Sequence, residues 1–229
     1  MKRHLARSAL GLSLIVSFLN GAAADEHAPI AAPQVAVGDS WTFQYTDVWK
    51  KLPGNLNRME VTAVDDSGIH VDIKRAASGA LLSKQRFSSD LNPIDRGRMH
   101  FDPAFQRYAF PLEPGKEWSS DATGENPAAG KRWRYRFKGK AVGWERIKVP
   151  AGEFDAMKIE VTGYYHGEQV GSNGGSGQLT ETVWYAPAVN NFVRLEYQDT
   201  DWNGRTFNRD QWELAAYQHK QNVRSPVED

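Results

Sequence analysis

The sequence has no cysteine in 229 residues. That excludes disulfides, cysteine-ligated metal sites and a lipid-modified N-terminal cysteine. Histidine is scarce: six occur, and none stands in His-x-x-x-His or similar metal spacing. Net charge is absent too, with 28 Lys and Arg balancing 28 Asp and Glu. The balance therefore offers no electrostatic reason to expect nucleic acid or an anionic membrane as partner. No long apolar run follows the first 24 residues, so no transmembrane segment is expected in the mature chain. With no covalent staple available, a hydrophobic core must hold the fold alone.

What is present begins with a leader. Lys2, Arg3 and Arg7 precede a short apolar run, Leu10 to Leu19, and Ala22 and Ala24 form a small-x-small pattern before Asp25. This reads as a secretory signal over residues 1–24, and periplasmic or secreted bacterial localisation is expected. The leader holds three of the 28 basic residues and no acidic one, so the mature chain carries −3. Residues 25–36 are Ala/Pro-rich and read as a flexible lead-in. Cleavage after Ala24 would leave Asp25-Glu26-His27 at the N-terminus. An amine, two amides and the His27 imidazole can form a square-planar site for Cu(II) or Ni(II). A histidine falling third by chance is the plainer alternative.

All eight Trp, all eight Tyr and nine of the ten Phe lie after the leader. Gly and Pro punctuate them at short intervals, which is all-β patterning. The expected fold is a curved antiparallel sheet forming an incomplete or open β-barrel with little helix. Residues 37–217 make the single β domain, and 218–229 form a polar tail. Trp41, Phe43, Tyr45, Asp47 and Trp49 share one strand face, and a four-strand meander runs to Ser88. Residues 90–114, broken by four prolines, read as a long loop with one short strand, packed over an edge or an open barrel end. His70 falls on a polar, solvated face. His100 beside Asp102 is a possible acid–base or metal pair, though no third partner stands nearby. From Lys131 to Lys140, Trp133, Tyr135 and Phe137 face one way, and Arg132, Arg134, Arg136 and Lys138 the other. Aromatics and bases on opposite faces do not make a nucleic-acid platform. Val149-Pro150-Ala151-Gly152 reads as a tight reversal with Phe154 tucked inward. Asn203-Gly204 marks a hairpin. The Gly-rich stretch 171–177 lacks both the P-loop ending and the nucleophile-elbow spacing.

Three stretches carry a resemblance. They are Val149 to Thr162, then Trp184-Tyr185-Ala186-Pro187 with Val193 to Tyr197, and the Gly-x-x-Trp-x-Phe-x-Tyr start at Gly38. Together they resemble the exported bacterial domains of the DUF3108-like group. Group members often continue past Trp-Tyr-x-Pro with Gly-Val-Gly-Leu-like residues; here Ala188-Val189-Asn190-Asn191 stands instead. The resemblance implies a curved antiparallel sheet and no established enzymatic activity. At the level of fold it is also similar to the half-barrels of periplasmic lipoprotein carriers, which hold acyl chains.

The expected function is a non-enzymatic binding protein of the envelope, without cofactor, taking a lipid or other apolar ligand in a curved sheet. Trp41, Tyr45, Trp133, Tyr135 and Trp144 are the candidate lining residues, with plain core packing as their alternative. Two other readings stand beside it: an assembly protein binding an envelope partner through a sheet edge, and a carbohydrate-binding module. A paired-carboxylate enzyme would draw first on Asp199, Asp201 and Asp210, which read as a solvated turn and its flank.

Overall fold

A computed structural model describes residues 28–52, 54–168 and 175–220. The leader, His27 and residues 221–229 of the polar tail lie outside them. The described residues form a succession of antiparallel strands. They are Ser40–Asp47 (β1), Asn55–Asp65 (β2), Gly68–Arg75 (β3), Leu81–Phe87 (β4), Pro93–Arg96 (β5), Met99–Asp102 (β6), Glu117–Asn126 (β7), Lys131–Val149 (β8), Gly152–Gly167 (β9), Gly177–Ala186 (β10), Asn191–Asp201 (β11) and Thr206–Gln218 (β12). Among the described residues helix is confined to two single turns, Pro127–Ala129 and Pro187–Val189.

The sheet closes. Each strand pairs with its neighbours in sequence, and β1 also pairs with β12, from Ser40 opposite Gln218 to Asp47 opposite Asp210. The incomplete or open barrel expected from sequence is therefore corrected to a closed twelve-strand barrel. Among the described residues every strand has a neighbour on both sides, although residues 81–85 of β4 pair only with β3 and residues 117–122 of β7 only with β8.

Twelve strands enclose more space than wall side chains alone can fill. Residues 103–116 supply the filling. Phe105, Tyr108 and Leu112 are almost wholly buried, and the Phe105 ring lies 4.5 Å from that of Phe137. Asn92 holds the segment by both its side-chain atoms, donating to Tyr108 O at 3.0 Å and accepting from Tyr108 N at 2.8 Å. This stretch was expected to pack over an edge or barrel end as a loop with one strand. Instead, over residues 90–114 two short strands (β5, β6) enter the wall, and Phe105, Arg107, Tyr108 and Leu112 pack into the core while Pro111 and residues 113–114 stay exposed. Part of the lead-in is also tied down: Ile30 is buried and exchanges two 2.9 Å backbone hydrogen bonds with Leu112.

Alternation sorts the walls as expected along β8. Phe137 is buried and Trp133 and Tyr135 half-buried, while Arg132, Arg134, Arg136 and Lys138 are exposed. The Trp184-Tyr185 pair divides between faces. Tyr185 packs edge-on to Tyr108 and Phe110, each 5.4–5.5 Å away. Trp184 is covered by Arg194 and Lys158, 5.3 and 5.8 Å from its ring, and donates to Glu145 Oε2 at 2.7 Å.

The Val149–Gly152 reversal is tight, with Val149 opposite Gly152, whose φ is +135°. Its tip reaches past β10 and β11 to β12, where Ala151 N donates to Leu214 O at 2.9 Å. Phe154 is only half-buried, against Tyr217 with ring centroids 6.3 Å apart. Phe154 thus packs against the core from the barrel end without being enclosed by it. Trp49 falls outside β1, in an exposed turn.

Candidate functional site

Inside the barrel, β10 alternates Leu179, Glu181, Val183 and Tyr185 on its inner face. A glutamate in that row must be compensated or neutralised. Two arginines compensate it. Arg107, from the filling segment, donates through Nε to Glu181 Oε2 at 2.7 Å and through Nη2 to Oε1 at 3.1 Å. Arg96, at the end of β5, donates to Oε1 at 2.7 Å. Burial alone would raise the Glu181 pKa, but the two guanidinium groups outweigh it and hold the carboxyl below its ordinary value. Arg107 is likewise held charged: Glu181 outweighs the desolvation that would lower it. Arg96 also lies over the Tyr197 ring at 5.1 Å.

Beside this triad is a cavity of about 120 Å³. Its apolar wall includes Phe43, Met59, Phe87, Phe192, Leu195 and Trp212, and Asn57, Gln85, Arg96, Arg107, Tyr108 and Asn191 bring polar atoms to it. Two buried polar atoms of these residues, Asn57 Oδ1 and Asn191 Nδ2, have no hydrogen-bond partner, and the Tyr108 hydroxyl, with the Arg107 guanidinium beside its oxygen, has no acceptor for its proton. Buried polar groups are normally paired, so an acceptor, a donor and a hydroxyl proton left open around one small space mark a place for a bound polar group or water. Burial raises the Tyr108 pKa to about 12, with Arg107 opposing the rise. That hydroxyl therefore stays protonated and can donate.

A second polar layer lies on the inner wall near the last hairpin. Tyr45 donates to Asp210 Oδ1 at 2.8 Å, and Asn208 Nδ2 to Oδ2 at 2.7 Å. Tyr165 donates to Asp199 Oδ1 at 2.8 Å, and Tyr197 to Oδ2 at 3.4 Å. Burial raises the pKa of both aspartates despite these bonds. Of the three acids read as a solvated turn and flank, only Asp201 fits that description, accepting from Asn203 N and Arg205 N within its turn. His100 does not pair with Asp102; its Nδ1 lies 2.7 Å from Asp95 Oδ1. His70 contacts Asp65 and Ser67 on the exterior. Among the described residues no three His, Asp or Glu converge to hold a metal, and His27 lies outside them.

None of the five aromatics singled out from sequence lines the cavity. Trp41 is fully buried, donating from Nε1 to Val189 O at 2.7 Å. Tyr45 packs on Trp212 with ring centroids 5.3 Å apart, one layer behind the cavity wall. Tyr135 stacks on Phe137 and meets Phe101 and Tyr165. Trp133 and Trp144 are half-buried at separate heights of β8. Sequence reasoning missed Arg107 and Glu181. Glu181 carried a usable signal, because alternation placed it between the inward Leu179 and Val183. Arg107 carried none, since its segment has no period.

No family model matches the chain, and no curated protein matches it. Solved structures do. A candidate lipoprotein from Parabacteroides distasonis superposes with a TM-score of 0.51 at 14% identity, over 84% of this chain and 100% of its own. A candidate exported protein with a YmcC-like fold from Bacteroides fragilis gives 0.50 at 15% identity, over 83% and 100%. The hypothetical lipoprotein YmcC from Escherichia coli gives 0.40 at 10% identity, over 83% and 93%. At such identities the first two establish a shared fold and nothing more.

Proposed function

We propose that this chain is an exported, non-enzymatic binding protein of the bacterial envelope whose barrel interior holds one small, mostly apolar ligand by a polar end. The observation that carries the reading is the apolar cavity faced by two unpartnered amide atoms and a hydroxyl with no acceptor for its proton, beside a saturated Arg–Glu–Arg triad. Because Glu181 already engages both arginines, the site does not call for an anion. A neutral head that accepts from Asn191 and Tyr108 and donates to Asn57 completes the hydrogen bonding. The size narrows the class. A cavity of about 150 Å³ accommodates benzene, so about 120 Å³ suits a single ring or a short chain rather than a whole acyl chain. Envelope placement draws on the leader and on the exported, lipoprotein descriptions of the proteins with this fold. Kinship with the DUF3108-like group belongs to the same reading and rests on the motifs at Val149–Thr162 and Trp184–Pro187.

The test is binding of p-cresol, a ring with one neutral hydroxyl, followed by tryptophan emission, since Trp212 lines the cavity. A saturable response that Asn191→Leu abolishes without lowering the melting temperature supports the reading. No saturable response, together with no extra mass in native mass spectrometry of the gently purified protein, ends it.

A further inference from the structure

One end of the barrel carries a different kind of surface. The turns between β1 and β2, between β3 and β4, and between β11 and β12 share it, because the strands alternate direction around the ring. They are physically joined there. Val48 N and Trp49 N both donate to Arg209 O, at 2.9 and 3.1 Å, and Ala76 N donates to Leu56 O at 2.9 Å. Along this arc Trp202 is 76% exposed, and Trp49, Leu52, Leu56, Leu81 and Phe207 are each about half exposed. Every strongly exposed Trp and Phe among the described residues belongs to it. Large aromatics facing water at one end of a molecule need an explanation that scattered surface leucines do not.

The charge of the arc says what faces it. Segments 47–56 and 201–209 hold four basic residues, Lys50, Lys51, Arg205 and Arg209, against two acidic ones, Asp47 and Asp201. Asp47 is buried and taken by Lys50, at 3.3 Å. Asp201 is occupied by backbone N–H groups of its own turn. Among the described residues Lys51, Arg205 and Arg209 form no ion pair. The arc is therefore cationic on a chain that is −3 beyond its leader. Tryptophan and phenylalanine interleaved with Lys and Arg match the layered chemistry of a bilayer surface, where rings sit at headgroup depth and cations meet anionic phosphates. The sequence has no cysteine to carry a thiol-linked lipid. The arc spans the sector that runs from β11 through β12, β1, β2 and β3 to β4, whose strands also provide most of the cavity wall.

We infer that this end of the barrel is a docking face for an anionic phospholipid bilayer, with Trp49, Trp202 and Phe207 entering the headgroup layer and Lys51, Arg205 and Arg209 meeting its phosphates. The test is co-sedimentation of the purified protein with vesicles of phosphatidylethanolamine and phosphatidylglycerol, against vesicles of phosphatidylcholine alone. Binding to the first and not the second, weakened by salt, is expected. Lys51→Ala, Arg205→Ala and Arg209→Ala should each lower partitioning about fivefold. The combined Trp49→Ser, Trp202→Ser, Phe207→Ser variant should lose sedimentation while still unfolding in one cooperative transition, because each side chain keeps half or more of its surface in water. Absence of wild-type sedimentation at low salt overturns the inference. So does unchanged binding of the folded variants, or self-association through this face in place of vesicle binding. Cresol binding by the same variants is expected to persist, so the cavity and the docking face succeed or fail separately.

Discussion

Arg107 grips Glu181 by two parallel hydrogen bonds, Nε to Oε2 and Nη2 to Oε1, in a barrel interior where the carboxylate has no exposed surface. The pair links the filling segment to the wall, because Arg107 lies between the buried Phe105 and Tyr108 while Glu181 stands on β10. Removing Arg107 leaves the buried Glu181 charge to Arg96 alone, whereas replacing Arg107 and Glu181 together leaves only Arg96, which reaches solvent. Arg107→Met should destabilise by about 3–5 kcal/mol in denaturant titration. Arg107→Met combined with Glu181→Leu should cost clearly less than the two single losses summed. Additive losses would show that the pair is not coupled.

The two groups of buried carboxylates predict opposite pH responses. Glu181 is held below its ordinary pKa, so its contribution is present above the unfolded value and is lost as pH falls through the folded one. Asp199 and Asp210 are raised by burial, so the folded state holds their protons more tightly than the unfolded chain does. Their contribution is greatest when protonated and declines as pH rises through their folded pKa values. Asp199→Asn keeps an acceptor for the Tyr165 hydroxyl and removes the charge. Its melting temperature should match or exceed wild type at neutral pH, and the excess should shrink as the medium is acidified. A large loss of stability at neutral pH would show that the Asp199 charge is favourable.

Trp118 on β7 lies flat against Gly139 on β8, directly opposite it in register. A Cβ on Gly139 would stand 2.1 Å from Trp118 Cε2. Gly139→Ala must displace the indole, which also donates to Gln106 O at 3.2 Å in the filling segment. The expected loss is about 1–3 kcal/mol, as for other overpacked sites. In the Trp118→Ala background the same change should be nearly neutral. An equal loss in both backgrounds would locate the strain in the backbone.

Phe154→Ala should cost about 1 kcal/mol, within the ordinary range for partly exposed positions, because the ring is half-buried against Tyr217. A loss near that of a core phenylalanine would mean that the hairpin tip is integral to the barrel end.

Most strands, most turn positions and the inward row of β8 were legible from alternation, because period-two patterning and Gly, Pro or Asn-Gly punctuation act within a few residues; β5 and β6 were not, because prolines interrupt their short stretches. Gly152 and Asn203-Gly204 mark their turns in the sequence just as they do in space. The absence of cysteine likewise settled, without any coordinates, that neither disulfide nor lipidated cysteine supports this fold. Closure was not legible. It depends on β1 meeting β12 across some 170 residues, and neither strand's pattern names its partner. The same holds for the candidate site. Asn57, Arg107 and Asn191 come from three separate parts of the chain, and only the closed ring with the filling segment packed inside it sets them around one cavity, with Glu181 bonded to Arg107 beside it. The aromatics conspicuous in the sequence went mostly to packing, since large rings are what a wide barrel needs to fill itself. The chemistry lies with polar residues, whose meaning depends on burial, and burial is a property of the assembled barrel.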